Sequence, residues 1–531
     1  MPQRQTQHIT HRFSGGWAPD FGKLISAAPA QGGDMLIPYA AEAKNIFWNL
    51  DGGFRKAGGT AKLSAELESG AEIMGVYDYW KIGATGSYTR RKICHVGQFI
   101  YEDQDSDTWQ KLGVATYTTL EDAKHPNYST FNDLLIISSD GNTDVPMSWD
   151  QTTFQVLAGS PPNFAYSVEH RNRQWAAGVV SNPSRLYYCA ADDPEDWVGS
   201  GSGFIDISPG DGDEIRGIAS YKNELWVFKG PNKGSIHRIT GSTPVDFARI
   251  TFIRGLACAG HSTIVQVRDD LLFMTPTGSI RSLKATAAFG DYIDSALTFP
   301  IDSWLRTNLN KSKTKEAWAV NDTTESLLYL SIPTGSSAVN DTVLVYDYKF
   351  ASVQQPDRWS RIEDWNAHSL ALVNVSGLPT MFAGGTDGFV RKVNVTAKNI
   401  DSLTPVMSQV TSPFINYGSV TRFKTATMVG MAVSPKAAGA SVEFEWTRDS
   451  TYANSVELSQ GAATGVPLGV FVLGTDLLDA PNLNMNQVFA DLEEGGDFRW
   501  VQYSIKQEDI DEDLVLHAVT VGIQFDGAGT E

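Results

Sequence analysis

Catalysis and metal binding need acids, bases or ligand atoms at a defined spacing, and the N-terminal segment offers one such pair. His8 and His11 lie three residues apart, and two imidazole nitrogens at this spacing could supply part of the ligand set of a metal ion. No further His or Cys stands near them in the chain. We therefore interpret the two histidines as an ordinary exposed pair.

Four acidic residues form the second candidate, because hard cations such as Ca²⁺ prefer several oxygen ligands. They are Asp206, Asp211, Asp213 and Glu214. Their spacing does not match the regular ligand pattern of a calcium-binding loop. The sequence favours a solvated turn at the edge of a sheet over a calcium site.

Three further motifs carry too little pattern to predict a reaction. Glycines and serines alternate from Gly199 to Gly203, but neither a nucleophile elbow nor a phosphate-binding loop has this spacing. The basic run from Arg90 to Lys92 is too short for a nucleic-acid surface, and we expect it to flank a strand as a solvated edge. After Asp140 the next tryptophan is Trp149, so the Ser-x-Asp-x-Gly-x-x-Trp turns of propeller sialidases are absent.

Paired carboxylates for glycoside hydrolysis stay open, because a chain with 61 acidic residues always furnishes candidate pairs. No residue stands out as catalytic. The sequence therefore predicts no catalytic residue, no cofactor or cofactor-binding residue and no metal ligand. We expect a protein that is not an enzyme.

The three cysteines, Cys94, Cys189 and Cys258, are far apart and odd in number, which fits neither a disulfide framework nor a zinc site. We expect buried thiols in a chain that is made in a reducing cytoplasm. No run approaches the roughly 18 apolar residues of a membrane helix, and the N-terminus lacks the apolar stretch of a signal peptide. The sequence predicts no membrane-spanning segment and no secretion.

The net charge of −19 bears on the partners of the chain. An acidic protein repels the phosphate backbone, so sequence-specific or non-specific adhesion to nucleic acid is disfavoured. A surface past which DNA slides without sticking is compatible with this charge. Hydrophobic residues make up 42% of the chain and charged residues 19%, which is typical of a globular protein.

Any site in this chain depends on short strands joined by glycine turns. One sequence motif, which we call the repeated phrase, occurs three times. It consists of an apolar strand, a glycine turn, and a second strand with apolar residues two and five positions past the glycine. A tight hairpin turn needs positive φ, which glycine adopts without a steric penalty. A β-hairpin motif that recurs every several dozen residues is typical of a β-propeller. The copies are Leu225–Phe228 with Gly234–Ile239, Leu271–Met274 with Gly278–Leu283, and Met381–Ala383 with Gly388–Val393.

The spacing of the strand groups predicts an irregular β-propeller of six or seven blades. Their apolar anchors are about 35 to 56 residues apart, close to the roughly 40–50 residues of a four-stranded blade. In the repeated phrase the apolar positions point to opposite faces of a strand, which predicts burial of both faces between neighbouring blades. The anchors are Phe99, Leu134, Trp175, Leu225, Leu271, Leu327 and Met381.

The predicted fold class is all-β with three parts. We expect an extended N-terminal arm over residues 1–60, a propeller over 61–400, and a C-terminal all-β, sandwich-like domain over 401–531. Helical spacing interrupted by Pro300 predicts a short helical insertion near 292–309. In the C-terminal domain the segment from Thr464 to Phe489 has the composition of a loop.

Several phrases, taken in their order along the chain, resemble one protein family. Together they are similar to the tail hub proteins of short-tailed bacteriophages, the nozzle or packaged-DNA stabilisation group, from about residue 13 to 395. Ala57 stands where the family phrase has a basic residue. The phrases are Phe13–Trp17, Asp51–Lys56, Gly212–Ala219, Leu225–Lys229, Gly255–Ser262 and Asp270–Gly278.

The resemblance implies a structural protein of the virion tail, made in the cytoplasm of the host bacterium. Six copies would form a ring below the portal and adaptor, retain the packaged genome and conduct it during ejection. The implied partners are the portal–adaptor (head-to-tail connector) proteins and the tail fibre, spike and needle proteins. Double-stranded DNA would pass without specific binding, and an acidic lumen would keep it from adhering.

Two other functions stay open. A receptor-binding or glycan-degrading tail protein on the same scaffold would need a cleft with aromatic rings and two carboxylates within about 5–10 Å. A non-viral propeller that docks partners would be a monomer without affinity for a portal–adaptor complex.

Overall fold

The computed structural model divides the chain into two compact units. It describes residues 6–13, 15–21, 24–25, 34–63, 65–83, 86–104, 106–113, 124–139, 141–289, 296–349, 358–434, 440–449, 452–460, 486–492, 497–509 and 513–525. We name the units after their folds. The propeller unit comprises Ala61–Leu344 and Trp365–Val393, and the sandwich unit comprises Met1–Thr60, Val345–Asp364 and Asn394–Glu531.

Nearly all regular elements are strands. The first strands are β1 (Thr6–Phe13), β2 (Leu24–Ile25), β3 (Asp34–Ile37), β4 (Glu42–Lys44), β5 (Ile46–Trp48), β6 (Phe54–Lys56) and β7 (Gly59–Lys62). The next strands are β8 (Ile73–Ile82), β9 (Tyr88–Val96), β10 (Phe99–Asp103), β11 (Gln110–Lys111), β12 (Asn127–Phe131), β13 (Leu134–Ser138), β14 (Met147–Trp149), β15 (Phe154–Val156), β16 (Tyr166–Glu169), β17 (Gln174–Ala177), β18 (Arg185–Tyr188), β19 (Gly203–Asp206), β20 (Glu214–Tyr221), β21 (Glu224–Gly230), β22 (Ser235–Thr240) and β23 (Ala248–Arg254).

The second half of the chain continues in the same way. Its strands up to residue 395 are β24 (Val265–Val267), β25 (Asp270–Met274), β26 (Ile280–Ser282), β27 (Trp318–Asp322), β28 (Leu327–Ile332), β29 (Thr342–Asp347), β30 (Arg358–Ile362), β31 (Ser369–Val375), β32 (Leu378–Gly384) and β33 (Val390–Val395). The last strands are β34 (Asn399–Ile400), β35 (Thr404–Pro405), β36 (Ser408–Thr411), β37 (Phe414–Ile415), β38 (Lys424–Val433), β39 (Ala440–Arg448), β40 (Tyr452–Gln460), β41 (Asn486–Asp491), β42 (Asp497–Phe498), β43 (Val501–Gln507) and β44 (Val515–Phe525).

Antiparallel sheets follow one another along the propeller unit, and each packs on the next. Buried clusters contain Ile93 with Leu135, Ile136 with Ala176, Leu186 with Ile218, and Phe228 with Phe273. The last sheet also packs on the first, because Phe382 and Val76 share one buried cluster. This closed series of sheets confirms the predicted β-propeller of six or seven blades. The sheets are β8–β11, β12–β15, β16–β19, β20–β23, β24–β26, β27 with β28, and β31–β33.

The repeated phrase builds one hairpin in each of three sheets. In every copy the two strands pair antiparallel. The turn glycines Gly234, Gly278 and Gly388 have φ values of 68°, 92° and 74°, which confirms the reason for glycine at these positions. Strand β21 is buried on both faces, as the phrase predicts.

The predicted helical insertion is described in part, and a second helix that the pattern did not indicate precedes it. Residues 292–295 lie outside the described part, and the described helix α2 spans Asp302–Asn308 after a 3-10 turn at Phe299–Ile301. Helix α1 spans Leu283–Phe289, so Leu283 begins a helix instead of ending a strand. The Ser282 hydroxyl accepts a hydrogen bond from the Ala285 amide at 2.9 Å, which starts the helical turn.

The sandwich unit consists of two sheets that face each other. One has the order β3-β1-β44-β38-β41, and the other contains β2-β37-β43-β36-β4 with β39 and β40. His11 of the first sheet stacks on Tyr503 of the second, with ring centroids 5.3 Å apart. The described strands of this unit therefore pack as a β-sandwich, and the predicted sandwich-like domain over 401–531 stays a prediction.

The compact units group residues 1–60 with residues 394–531, and the predicted division into three domains stays a prediction. The predicted loop from Thr464 to Phe489 lies outside the described residues up to position 485. Its last residues form β41, which pairs antiparallel with β38. No helix in the described ranges is long and apolar enough to cross a membrane.

Candidate functional site

A cavity of about 360 Å³ lies where the first strands of several propeller sheets begin. We call it the central cavity. Its walls come from the segments before or at the start of β12, β16, β24 and β27. Four stretches that are distant in sequence thus supply one polar pocket: residues 124–127, 165–166, 261–262 and 315–316.

Two lysines, Lys124 and Lys315, line the central cavity. Among the described residues neither ammonium group has an ion pair. Desolvation lowers the pKa of Lys315; Glu214 and Glu316 oppose this effect, and the positive charges of Arg216 and Lys124 reinforce it. The cavity therefore holds two neighbouring cations that repel each other.

A stacked ring pair forms one wall of the central cavity. The rings of Tyr166 and His261 are 5.0 Å apart at an angle of 16°. His261 Nε2 lies 3.0 Å from Asn127 Nδ2, and the Asn127 side-chain oxygen accepts a hydrogen bond from the Ser167 amide at 2.7 Å. Burial lowers the pKa of His261 to about 4, so this ring is neutral near pH 7.

Two histidines, His125 and His368, lie beside the cavity. The ring centroids of His125 and His368 are 4.5 Å apart. His125 Nδ1 donates to the Met74 carbonyl oxygen at 2.5 Å, and His368 Nδ1 accepts from the Asn340 amide at 3.1 Å. Burial lowers the pKa of both rings. Within the described ranges, no three His, Cys, Asp or Glu residues are grouped in a way that could hold a metal ion.

Carboxylates and a buried hydroxyl complete the chemistry of the site. Glu316 lines the cavity, and Glu214 pairs with Arg216 at 2.6 Å. Ser139 also lines the cavity; it is 6% exposed, and its hydroxyl has no hydrogen-bond partner among the described residues. This set of groups can bind a small polar anion through the lysines and offers a carboxylate for proton transfer.

The structure separates the first sequence candidate, His8 and His11. His8 is exposed, whereas His11 is buried between Tyr417 and Tyr503. The prediction of an exposed pair is therefore wrong for His11. Residues three apart in a strand point to opposite faces, so β1 turns one histidine to solvent and the other into the sandwich.

Hydrogen bonds and ion pairs hold the acidic segment in place. The prediction of a solvated turn is therefore wrong. Asp213 is buried, and its carboxylate accepts from the backbone amides of residues 232, 233 and 234 at 2.7–3.1 Å. The other three carboxylates have different cationic partners and do not converge on one point. The pairs are Asp206 with Arg185 at 2.9 Å, Asp211 with Lys229 at 2.8 Å, and Glu214 with Arg216 at 2.6 Å.

The basic run also departs from its prediction, because Lys92 is buried. Its ammonium nitrogen is 2.6 Å from a carboxylate oxygen of Asp103 and 2.9 Å from one of Asp107. Strand β9 lies inside the first sheet, so its C-terminal part has no solvated face.

The remaining motifs are structural. In the 199–203 segment, the amide of Gly199 donates to the Asp196 carboxylate at 2.7 Å. Asp140 lies outside the described residues, and Trp149 is buried. The cysteines Cys94, Cys189 and Cys258 are buried free thiols, as predicted.

The fold and cavity define the class of protein as a β-propeller joined to a β-sandwich, and comparison with known proteins adds little to it. No protein-family model matches the chain, and no curated protein matches it. The similar solved structures include an exo-β-1,3-galactanase from Phanerochaete chrysosporium. Its variant with β-1,3-galactotriose is 9% identical, with 87% of this chain and 100% of that chain covered and a TM-score of 0.27.

The same galactanase with galactose is 10% identical to this chain, with 94% of this chain and 98% of that chain covered and a TM-score of 0.26. These structures are those of an enzyme, so the prediction that this chain is not an enzyme is withdrawn. At this identity and TM-score the likeness assigns no activity to the chain.

Proposed function

We propose that this chain is a structural protein of the tail of a short-tailed bacteriophage. Six copies form a nozzle or hub ring below the portal and adaptor, and this ring retains the packaged DNA and conducts it during ejection. The observation that carries the proposal is the resemblance of several phrases, in their order along the chain, to the tail hub family.

The location of one of these phrases supports a structural role for it. In the phrase Asp51–Lys56, Gly53 is so close to β44 that an added Cβ would lie 1.9 Å from the Leu516 carbonyl oxygen. Lys56 is fully buried, and its ammonium group donates to the Asp509 carbonyl oxygen at 3.1 Å. Within the sandwich unit, the segment Asp51–Lys56 thus contacts β44 through Gly53 and binds the segment before β44 through Lys56.

Packing and charge are both compatible with a channel part that bears pressure. The propeller strands are buried on both faces, as β21 and β28 illustrate. Close-packed interiors have low compressibility. A net charge of −19 keeps DNA from adhering if the acidic residues face the lumen.

Native mass spectrometry of the purified chain, alone and with the portal–adaptor complex, tests the proposal. We expect a ring of six copies that forms or is stabilised on the portal–adaptor complex. A chain that stays monomeric at micromolar concentration and does not bind this complex would overturn the proposal.

A glycan-binding or glycan-degrading tail protein is the second candidate, and the central cavity favours it. The cavity combines the ring of Tyr166, the carboxylate of Glu316 and two cations. Among the described residues that line it, Glu316 supplies one of the two carboxylates that glycoside hydrolysis requires. Release of reducing sugar from the surface polysaccharide of the host tests this function. Activity that Glu316→Gln abolishes, in a variant with unchanged thermal stability, would establish the second candidate; no release by the intact chain would eliminate degradation.

A further inference from the structure

The central cavity concentrates positive charge in a chain that is strongly acidic. Lys124 and Lys315 both line it, and in the described part of the chain neither is in an ion pair. By contrast, the lysines Lys92 and Lys229 each lie within 3 Å of an aspartate oxygen. Among the described residues, two lysines and one carboxylate, Glu316, line this cavity. Its lining is therefore net positive in a chain with a net charge of −19, which favours an anion.

A buried hydroxyl supplies a second, independent observation. Ser139 is 6% exposed and lines the same cavity, and in the part of the chain that the structure describes its side-chain oxygen has no hydrogen-bond partner. Buried polar groups are nearly always hydrogen-bonded. An occupant of the cavity, a water molecule or a ligand group, can supply this hydroxyl with a partner.

The size and wall of the cavity limit the ligand. A volume of about 360 Å³ is at the lower end of the range of small-molecule sites. Tyr166 is 7% exposed, with one ring face stacked on His261, and it lines the cavity next to these polar groups. A sugar ring, with an apolar face and a hydroxylated rim, fits a lining of this mixed chemistry.

We propose that the central cavity binds an acidic sugar unit, with its carboxylate between Lys124 and Lys315 and one of its hydroxyls on Ser139. The carboxylate neutralises the two cations through charge-assisted hydrogen bonds. This site goes beyond the proposed structural role. It does not depend on that role, because ring formation and sugar binding are separate properties of the chain.

Isothermal titration of the full chain with trigalacturonate tests the proposal, with galactotriose as the neutral ligand of similar size. We expect trigalacturonate to bind and galactotriose to bind at least tenfold more weakly. Lys124→Met and Lys315→Met should each weaken binding about tenfold, as expected for the loss of one charge-assisted contact. Lys233→Met, which removes a lysine outside this cavity, is the matched control and should leave binding unchanged.

Ser139→Ala keeps the proposal falsifiable if a lysine variant fails to fold. Removing a buried hydroxyl without a partner should leave the thermal midpoint of the free chain unchanged or higher. The same variant should bind trigalacturonate several-fold more weakly. Equal binding of the neutral trisaccharide, inorganic phosphate that binds as tightly as trigalacturonate, or no binding at millimolar trigalacturonate would each overturn the proposal.

Discussion

Lys229 and Asp211 form an ion pair in the propeller unit, with the lysine ammonium nitrogen 2.8 Å from both carboxylate oxygens. The Lys229 side chain is fully buried. The same ammonium group donates to the carbonyl oxygens of Ile207 and Ser208 at 2.8 and 3.1 Å. A segment whose composition suggested a solvated turn or a calcium loop therefore anchors a buried cation.

Asp211→Asn should destabilise the chain, because it leaves the buried ammonium group without its counter-charge. We expect a loss of about 3 kcal/mol in the free energy of unfolding, the lower end of the range for broken buried pairs, since Asp211 is partly exposed. Urea unfolding measures this loss. Lys222→Met, which breaks the exposed pair with Asp269, is the control and should not change the transition. Equal effects of the two variants would contradict the structural role of Asp211.

His11 should make the stability of the sandwich unit sensitive to acid. Burial lowers the pKa of His11 to about 3, whereas an unfolded histidine titrates near 6.5. Between these values the unfolded chain binds more protons. The contribution of the neutral ring is therefore complete above pH 6.5, and it falls by up to about 1.4 kcal/mol per pH unit on acidification toward pH 3.

His11→Phe should remove this part of the pH dependence. Neither ring nitrogen of His11 has a hydrogen-bond partner within the described ranges, and Phe can stack on Tyr417 and Tyr503 in its place. Urea unfolding at pH 5 and pH 7 gives the difference, and the exposed His8, replaced in His8→Phe, is the matched control. A pH dependence that His11→Phe leaves unchanged would refute the assignment.

Gly53→Ala should separate two strands of the sandwich unit. The new methyl group would lie 1.9 Å from the Leu516 carbonyl oxygen and 2.7 Å from the His517 Cα, where β6 pairs with β44. We expect a loss of about 3 kcal/mol, because backbone atoms cannot move as a side chain can. In the control Gly201→Ala the methyl group only meets Ala190 at 3.4 Å, and stability should be nearly unchanged. Equal stability of the two variants would show that the close approach at Gly53 is absent.

The three thiols should be unreactive in the folded chain. Burial raises the pKa of Cys189 to about 11 and that of Cys258 to about 12, and it also raises the pKa of Cys94. The thiolate is the reactive species, so labelling with a disulfide reagent at pH 8 should be slow until denaturant is added. Rapid labelling of the native chain would contradict the burial of these residues.

The fold was predictable because its signal is local and repeated. Gly234, Gly278 and Gly388 each follow an apolar strand, and positive φ at a hairpin turn leaves few other residue types. The buried cations Lys92 and Lys229 were not predictable from sequence spacing. Asp103 reaches Lys92 through the pairing of β9 with β10, and Asp211 reaches Lys229 from the turn before β20.

The central cavity was not predictable, since its residues come from different sheets. Lys124 and Lys315 stand before β12 and β27, which are far apart in the chain. One signal was present: His125 lies two residues before β12, and His261 begins the 3-10 turn that precedes β24. In a propeller such positions meet at the centre, but the exact strand bounds are needed to recognise them.

The most direct test of the proposed tail role is cryo-electron microscopy of the phage particle whose genome encodes this chain. The proposal predicts six copies in a ring on the tail axis, directly below the adaptor and around the DNA path. A particle that lacks the chain, or that carries it only on peripheral fibres or spikes, would contradict the account.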